Sequence, residues 1–391
     1  MSQDKPNARG RAIVADRVFD GRGWHRDIAV MVQNGRIGGL ASPGEIPPDW
    51  TQSRVPAGVF VTAGFIDLQV NGGGGVLLND RPTPDGMHAI ARAHRRYGTT
   101  ACLPTWITDT REQMRSVIAA ARSAAGCNGV LGLHLEGPFI SPQRPGVHRP
   151  DRIVQPRAGD LEQLSELARA GRSLVTLAPE CVPAGFVMTL ASAGVRISIG
   201  HSEASAAIVV QAIAEGATGV THLFNAMPPF SARAPGIVGT ALSEPRLTAG
   251  LIVDGIHVDP VSVRTAFAAK GAERIALVTD AMPTVGASID RFELVGRVIK
   301  LVDGRLTTEE GTLAGAHLDM ASAVRNAVEL AKVPLEDALR AASLTPAQFL
   351  GVEKERGAIV PGARADLVAL TDKLTVAATW VDGEIESYGV P

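Results

Sequence analysis

The sequence predicts an α/β chain, a parallel (β/α)8 TIM barrel with a small β-sandwich domain formed by both chain ends. Three observations carry this. Eight short apolar or β-branched runs alternate with helix-like stretches through the middle of the 391 residues. Both ends change texture, to short strands joined by glycine-containing turns. Polar, chemistry-bearing residues gather where the central runs end, and in a parallel barrel those ends converge on one mouth.

The runs are 64–69, 99–104, 130–136, 174–179, 196–201, 217–222, 248–253 and 275–280. Between them, 86–97, 110–125, 161–170, 205–215 and 261–270 have helical periodicity and good helix formers. Eight units fit a closed barrel, although an open sheet can also hold eight strands. Outside the barrel, 12–18, 28–32, 36–39, 365–370 and 376–381 read as strands, with Asp382-Gly383 as a hairpin signal. The expected division is a small β domain from 1–60 and 355–391, with a metal-dependent hydrolase barrel at 61–354 between them.

Composition narrows the function. With 45% hydrophobic and 20% charged residues the chain can bury a sizeable core. A net charge of -2 provides no basic excess for nucleic acid or an acidic membrane surface, so neither is expected as a partner. The first ten residues lack the apolar core of a secretory signal, and no later run is long enough to span a bilayer. Cys102, Cys127 and Cys181 are odd in number and lack CxxC spacing, which argues against a disulfide framework and a thiolate zinc site. A cytoplasmic location is the simplest expectation.

The ends of four runs carry the chemistry. The third closes on His134-Leu135-Glu136-Gly137-Pro138, the fifth on Gly200-His201-Ser202, the sixth on Thr221-His222-Leu223-Phe224-Asn225 and the eighth on Thr279-Asp280-Ala281. Each residue alone has a bland reading: a loop histidine, an ion-pair partner, a helix N-cap. Together, one carboxylate and two imidazoles at one mouth form a three-ligand metal site with a position left open. A metal there brings the pKa of bound water down to about 7, and Asp280 can take and return the proton. An amide suits this arrangement, because its leaving nitrogen needs a proton.

On these residues the chain resembles the N-acetylglucosamine-6-phosphate deacetylases of the amidohydrolase superfamily, over nearly its whole length. The most specific pieces are Gly64-Phe65-Ile66-Asp67-Leu68-Gln69-Val70-Asn71-Gly72, His134-Leu135-Glu136-Gly137-Pro138-Phe139 and Thr221-His222-Leu223-Phe224-Asn225-Ala226-Met227-Pro228. Gly200-His201-Ser202, Asp254-Gly255-Ile256-His257, Thr279-Asp280-Ala281 and Leu313-Ala314-Gly315 add to them. The resemblance implies Glu136, His201 and His222 as ligands of one divalent metal per subunit, Zn2+ first, with Fe2+, Co2+ or Mn2+ able to use the same set. It implies Asp280 as general base and acid, and His148 as the contact to the acetyl carbonyl. Val147, Asn225, Ala226, Arg233, Asp254, His257, Leu313, Ala314, Gly315 and Ala316 would bind substrate, with Arg233 and His257 as positive partners of the phosphate. A phosphorylated amino sugar as ligand and a homodimer, with one phosphate partner drawn from the neighbouring subunit, follow from the same resemblance.

Two departures stand out. Where many amidohydrolases place His-x-His after the first strand, this chain has Gln69 and Asn71, and amides are poor zinc ligands, so one metal is expected. No lysine falls near the first six strand ends, so a bridging carbamylated lysine has no candidate. Second, His317 stands two residues after Gly315 where a small hydroxyl residue is usual; an exposed histidine ahead of the next helix is the plain expectation, an altered substrate contact the sharper one. Gly72 to Gly75 lack a P-loop lysine and read as a flexible mouth loop. His88 and His94 read as surface residues, His134 as core or support, and Cys102 as core. The competing activities are deacetylation of the galactosamine epimer and cyclic-amide hydrolysis; the binding-protein alternative would require a lost ligand.

Overall fold

The computed structural model describes residues 10–387. Eight parallel strands, Phe65–Val70, Thr99–Ile107, His134–Glu136, Leu174–Leu177, Arg196–Ile199, Gly219–Val220, Thr248–Leu251 and Ile275–Leu277, pair in chain order. Each lies within or overlaps one of the eight runs read from the sequence. A parallel bridge between Val70 and Ala281 closes the ring, with Asp280 N donating to Gln69 O at 2.9 Å and Asn71 N to Ala281 O at 2.9 Å. Most strand residues are buried, which is why these segments read as apolar runs rather than alternating ones.

Helices Pro84–Arg95, Arg111–Ala124, Ala206–Ala214 and Pro260–Lys270 cover the outside of the barrel. Their starts follow local chemistry: Thr83, Thr110, Ser205 and Asp259 each accept a backbone N–H of the first turn, and proline opens the first and last. The stretch 161–170 is broken, an α-turn at Asp160–Ser165 tightening into 3-10 geometry at Glu166–Arg169. Helix Gly236–Ser243 escapes periodicity because five of its eight residues are buried and it has no charged face.

Both chain ends build one sheet. Its path runs Glu384–Ser387, Val376–Val381, Leu367–Thr371, Val59–Ala63, Arg11–Phe19, Trp24–Gln33 and Arg36–Ala41, with Thr51–Arg54 also on the Arg11–Phe19 strand. Ile13, Val30, Ile37, Val61, Leu367 and Trp380 share one core, and a Cβ at Gly35 would come 2.9 Å from Asp382 O. Strands far apart on the path therefore meet face to face, as in a sandwich.

A three-stranded antiparallel sheet, Arg291–Leu294, Arg297–Val302 and Arg305–Thr307, follows the eighth strand and was not among the expected elements. Leu294, Ile299 and Leu306 pack on Leu77, Ile107, Met282 and Ala314 at the rim of the mouth, while Val298 and Val302 stay exposed. Apolar residues on both faces blur the alternation a strand reading needs. Two expectations are corrected. Gly72–Gly73 pairs with Val76–Leu77, and Gly72, Gly74 and Gly75 donate to Ala281, Val285 and Pro283 carbonyls, so this is a pinned hairpin rather than a flexible loop. His94 is fully buried, with Nε2 2.9 Å from Gly72 O, because it props that hairpin from the adjoining helix.

Candidate metal centre and active site

Three of the four strand-end residues have left-handed backbone, with φ of 46° at His201, 31° at His222 and 51° at Asp280. Non-glycine residues rarely adopt such values, and where they cluster the surrounding structure enforces them. Each lies just past its strand and is held by the barrel's own ladder: Asp280 N reaches Gln69 O, and Leu223 N, following His222, reaches Gly250 O at 2.8 Å.

Glu136, His201 and His222 converge. Glu136 Oε1 lies 2.9 Å from His222 Nε2 and 3.3 Å from His201 Nε2, and the two Nε2 atoms are 3.1 Å apart. Donors bonded tetrahedrally to zinc at about 2.0–2.1 Å stand about 3.3 Å from one another, so this buried triangle has the size of a metal's ligand face. His201 Nδ1 donates to Arg144 O at 2.8 Å, which leaves its Nε2 as a lone pair aimed at the centre. Lone pairs gathered on one buried point repel, and a cation there removes the repulsion; the residues fit a metal. Burial works against charge on Glu136, yet when no cation is bound, protons on the two imidazoles take its place and hold the carboxyl well below the ordinary range, and Glu136 in turn raises His222 despite burial.

Asp280 faces the same centre. Its Oδ1 accepts from Asn71 Nδ2 at 2.6 Å and Gln69 Nε2 at 3.1 Å, and Gln69 Nε2 also reaches Glu136 Oε1 at 3.1 Å. The two amides thus use their donors on both carboxylates where a second cation would otherwise stand. Burial, then the negative charge of Glu136, pushes the Asp280 carboxyl up to about 6, where it can accept and return a proton near neutrality. Behind it Asp67 accepts from Thr279 Oγ1 at 2.5 Å and ties the first strand to the eighth.

His148 is buried beside His201, ring centroids 4.5 Å apart, with Nε2 3.8 Å from Glu136 Oε2. Burial and the neighbouring His201 depress it to about 3, so it is neutral. One ligand atom each from Glu136, His148 and His201 also lies within 4.8 Å of the others; the shorter distances favour His222 as the third ligand. These groups line a cavity of about 520 Å³ together with Asn71, Val147, Asn225, Ala226, His257, Leu313 and Gly315. His257 Nδ1 is held by Asp254 Oδ2 at 2.6 Å, so Asp254 stands behind the wall. Ala314 and Ala316 are buried behind the lining, with Ala316 N on Asp280 O at 2.9 Å. Arg233 is exposed on the loop after the sixth strand and does not line the cavity of its own chain.

His317 is exposed, Nδ1 2.8 Å from Thr284 Oγ1, ahead of the helix Met320–Glu329 and outside the cavity lining, in line with the plain expectation. His134 is core, 2.8 Å from Thr176 Oγ1, and Cys102 is buried in its strand. Sequence reasoning missed Gln143, Arg144, Thr312 and Met282 in the wall. The Arg144 carbonyl that orients His201 had no signal to find, since any residue supplies a carbonyl.

The Amidohydrolase family model matches residues 60–385. A curated protein of Shewanella sp. (strain ANA-3), N-acetylgalactosamine-6-phosphate deacetylase, is 41% identical over 367 residues, 91% of each chain. The crystal structure of N-acetylglucosamine-6-phosphate deacetylase from Pasteurella multocida superposes with a TM-score of 0.93 at 34% identity, covering 97% of this chain and all of that one. An Asp-to-Ala mutant of the N-acetyl-D-glucosamine-6-phosphate deacetylase of Mycobacterium smegmatis, in complex with N-acetyl-D-glucosamine-6-phosphate, has a TM-score of 0.87 at 31% identity, covering 97% and 99%. With the family model spanning the whole barrel and the C-terminal strands of the flanking sheet, the chain belongs to the amidohydrolase family.

Proposed function

We propose that this chain hydrolyses the acetamide of N-acetyl-D-glucosamine 6-phosphate to D-glucosamine 6-phosphate and acetate, in amino-sugar catabolism and cell-wall sugar recycling. The observation that carries the reading is one cavity in which the Glu136–His201–His222 triangle, the Asp280 carboxyl and the neutral His148 all face the same space. The names of the relatives above point the same way.

In this reading Glu136, His201 and His222 hold one divalent metal, Zn2+ first by donor type, which supplies Lewis acidity toward water and the amide carbonyl. Asp280 accepts the proton of the attacking water and delivers it to the leaving nitrogen as the C–N bond breaks. Gln69 and Asn71 hold that carboxyl in line. His148 donates to the acyl oxygen as negative charge develops there. Asn225, Ala226 and His257 receive the phosphate side, with Asp254 fixing the imidazole, and Val147, Leu313 and Gly315 flank the sugar, backed by Ala314 and Ala316.

Arg233, exposed and outside the lining of its own cavity, serves the phosphate best from the neighbouring subunit of a homodimer. The domain limits proposed are 1–60 with 355–391 and 61–354, of which 1–9 and 388–391 lie outside the described residues, while strand Val59–Ala63 carries the small sheet three residues past the first limit. The location proposed is cytoplasmic. No helix among the described residues is long and apolar enough to cross a membrane. A second reading, the galactosamine epimer as substrate, is favoured by the 41% identical relative. Acetate release from both phosphorylated epimers and from unphosphorylated N-acetylglucosamine, with metal content measured in parallel, tests this. Preference for the phosphorylated gluco sugar with about one metal per chain supports the proposal. Preference for the galacto sugar moves it to the second reading, and no release from a metal-loaded protein overturns both.

A further inference from the structure

His148 and His201 touch, yet the proposed function gives them opposite jobs, one a hydrogen-bond donor and the other a metal ligand. The partner of each Nδ1 sorts them. His201 Nδ1 faces the Arg144 carbonyl, which can only accept, so the ring proton sits on Nδ1 and Nε2 is a lone pair. His148 Nδ1 faces the Thr108 hydroxyl at 2.7 Å, a group able to donate.

That hydroxyl has one proton and two acceptors in reach, His148 Nδ1 and the Glu136 main-chain oxygen at 3.2 Å. The Glu136 oxygen already accepts the Thr108 backbone N–H at 3.0 Å. The imidazole nitrogen is the nearer partner, and on the other edge of the ring Nε2 lies 3.8 Å from Glu136 Oε2, a carboxylate oxygen that favours an N–H there over a second lone pair. Thr108 is fully buried, so bulk water does not compete for the bond. Space for the hydroxyl depends on Gly137, at φ +85°, where a Cβ would stand 2.1 Å from Thr108 Oγ1.

We propose that Thr108 is a positioning residue whose hydroxyl donates to His148 Nδ1 and fixes the Nε2–H tautomer. His148 is thereby kept a donor toward the acyl oxygen and out of the metal's ligand set. The role of His148 itself rests on the deacetylase reading. Without the Thr108 proton, His148 can protonate Nδ1 and turn an Nε2 lone pair toward Glu136 and His201, whose ligand atoms lie within 4.8 Å.

The test has two readouts. Side-chain 15N–1H correlation spectra of metal-free, 15N-histidine-labelled protein, with His148 assigned by its loss in His148→Gln, report the tautomer directly. Nε2–H is expected in wild type and in Thr108→Ser, and its loss in Thr108→Val. In the metal-loaded enzyme Thr108→Val should lower kcat about ten- to a hundredfold with KM nearly unchanged. Thr108→Ser should restore kcat, and Thr108→Val should add nothing in the His148→Gln background. An Nδ1–H tautomer in the wild type overturns the proposal without reference to any variant, as does a Thr108→Val protein that keeps both Nε2–H and full kcat. If His148→Gln keeps full kcat while the wild-type tautomer is Nε2–H, the donor role of His148 fails and the tautomer assignment to Thr108 stands.

Discussion

Two regions of the molecule bury carboxylates, and they neutralise them in opposite ways. Where the C-terminal segment meets the sheet, Asp366 is buried against Arg356 and lies 3.6 Å from Arg364, which also pairs with Asp382. At the mouth, Glu136 and Asp280 are as deeply buried, but the groups that reach them are imidazoles and amides, from His201, His222, Gln69 and Asn71. A buried carboxylate without a positive partner is expensive. The chain supplies that partner itself at the seam; at the mouth, on the proposed function, a metal and a titrating proton take its place. Stability is built in at one place, and chemistry is made possible at the other.

The largest expected effect separates these roles at the mouth. Asp280→Asn keeps both amides close to an uncharged oxygen, so metal and substrate still bind, while turnover falls about 10²- to 10⁴-fold. Single-turnover kinetics alongside metal analysis check this; full activity would remove Asp280 from the mechanism. The seam should answer in stability. Arg356→Met leaves Asp366 buried with its nearest cation gone, and urea unfolding should show a loss of about 3–5 kcal/mol with activity per folded molecule unchanged. Arg356→Met with Asp366→Leu should recover much of that loss, and failure to do so would mean the pair is not what holds the seam.

Metal removal joins the two measures. If the mouth relies on a bound cation, dialysis against a chelator should abolish turnover and also lower stability, by about 2.7 kcal/mol relative to metal at a hundred times its Kd. The seam variants should lose the same increment, because the two sites are independent. An unchanged melting temperature after complete metal loss would contradict the charge argument. A smaller effect concerns charge offered to a ligand: Arg233→Ala should raise KM about tenfold, or about 1.4 kcal/mol, for the phosphorylated substrate and leave the unphosphorylated one unaffected. Equal shifts on both would take Arg233 away from the phosphate.

The mouth was legible in the sequence because a buried parallel strand reads as an apolar run, and a His, Glu or Asp at its end then stands out. The barrel, and the convergence of Glu136, His201, His222 and Asp280, came from that contrast. What stayed hidden has no side-chain signature or breaks the period. The Arg144 carbonyl behind His201 is main chain. His94 lies in an amphipathic helix, and only the tertiary position of the glycine hairpin makes it core. Val298 and Val302 point to solvent in a strand that also buries Ile299, so the sheet at the rim lacked clean alternation. The Arg356–Asp366 pair joins residues ten apart through a turn, a contact no short-range pattern announces.

The smallest effect tests the comparison at an intermediate site. Arg111 donates to both oxygens of Asp160, at 2.8 Å and 3.1 Å from Nε and 2.8 Å from Nη2, and Arg157 N adds 2.9 Å. Burial raises the Asp160 carboxyl, but the Arg111 hydrogen bonds, the Arg157 N–H and the charges of both arginines together outweigh it and hold the group below its ordinary value. A depressed carboxylate stabilises the fold above its unfolded pKa of about 3.9 and loses that contribution as pH falls through the lower folded value. Asp160 is buried, but its partner Arg111 still reaches solvent, which screens the pair to about 1 kcal/mol or less. The difference in urea midpoint between wild type and Arg111→Met should therefore be constant from about pH 5 upward and shrink in acid toward what lost packing alone explains. A difference that grows as pH falls would have the wrong sign for a carboxylate held by its own chain.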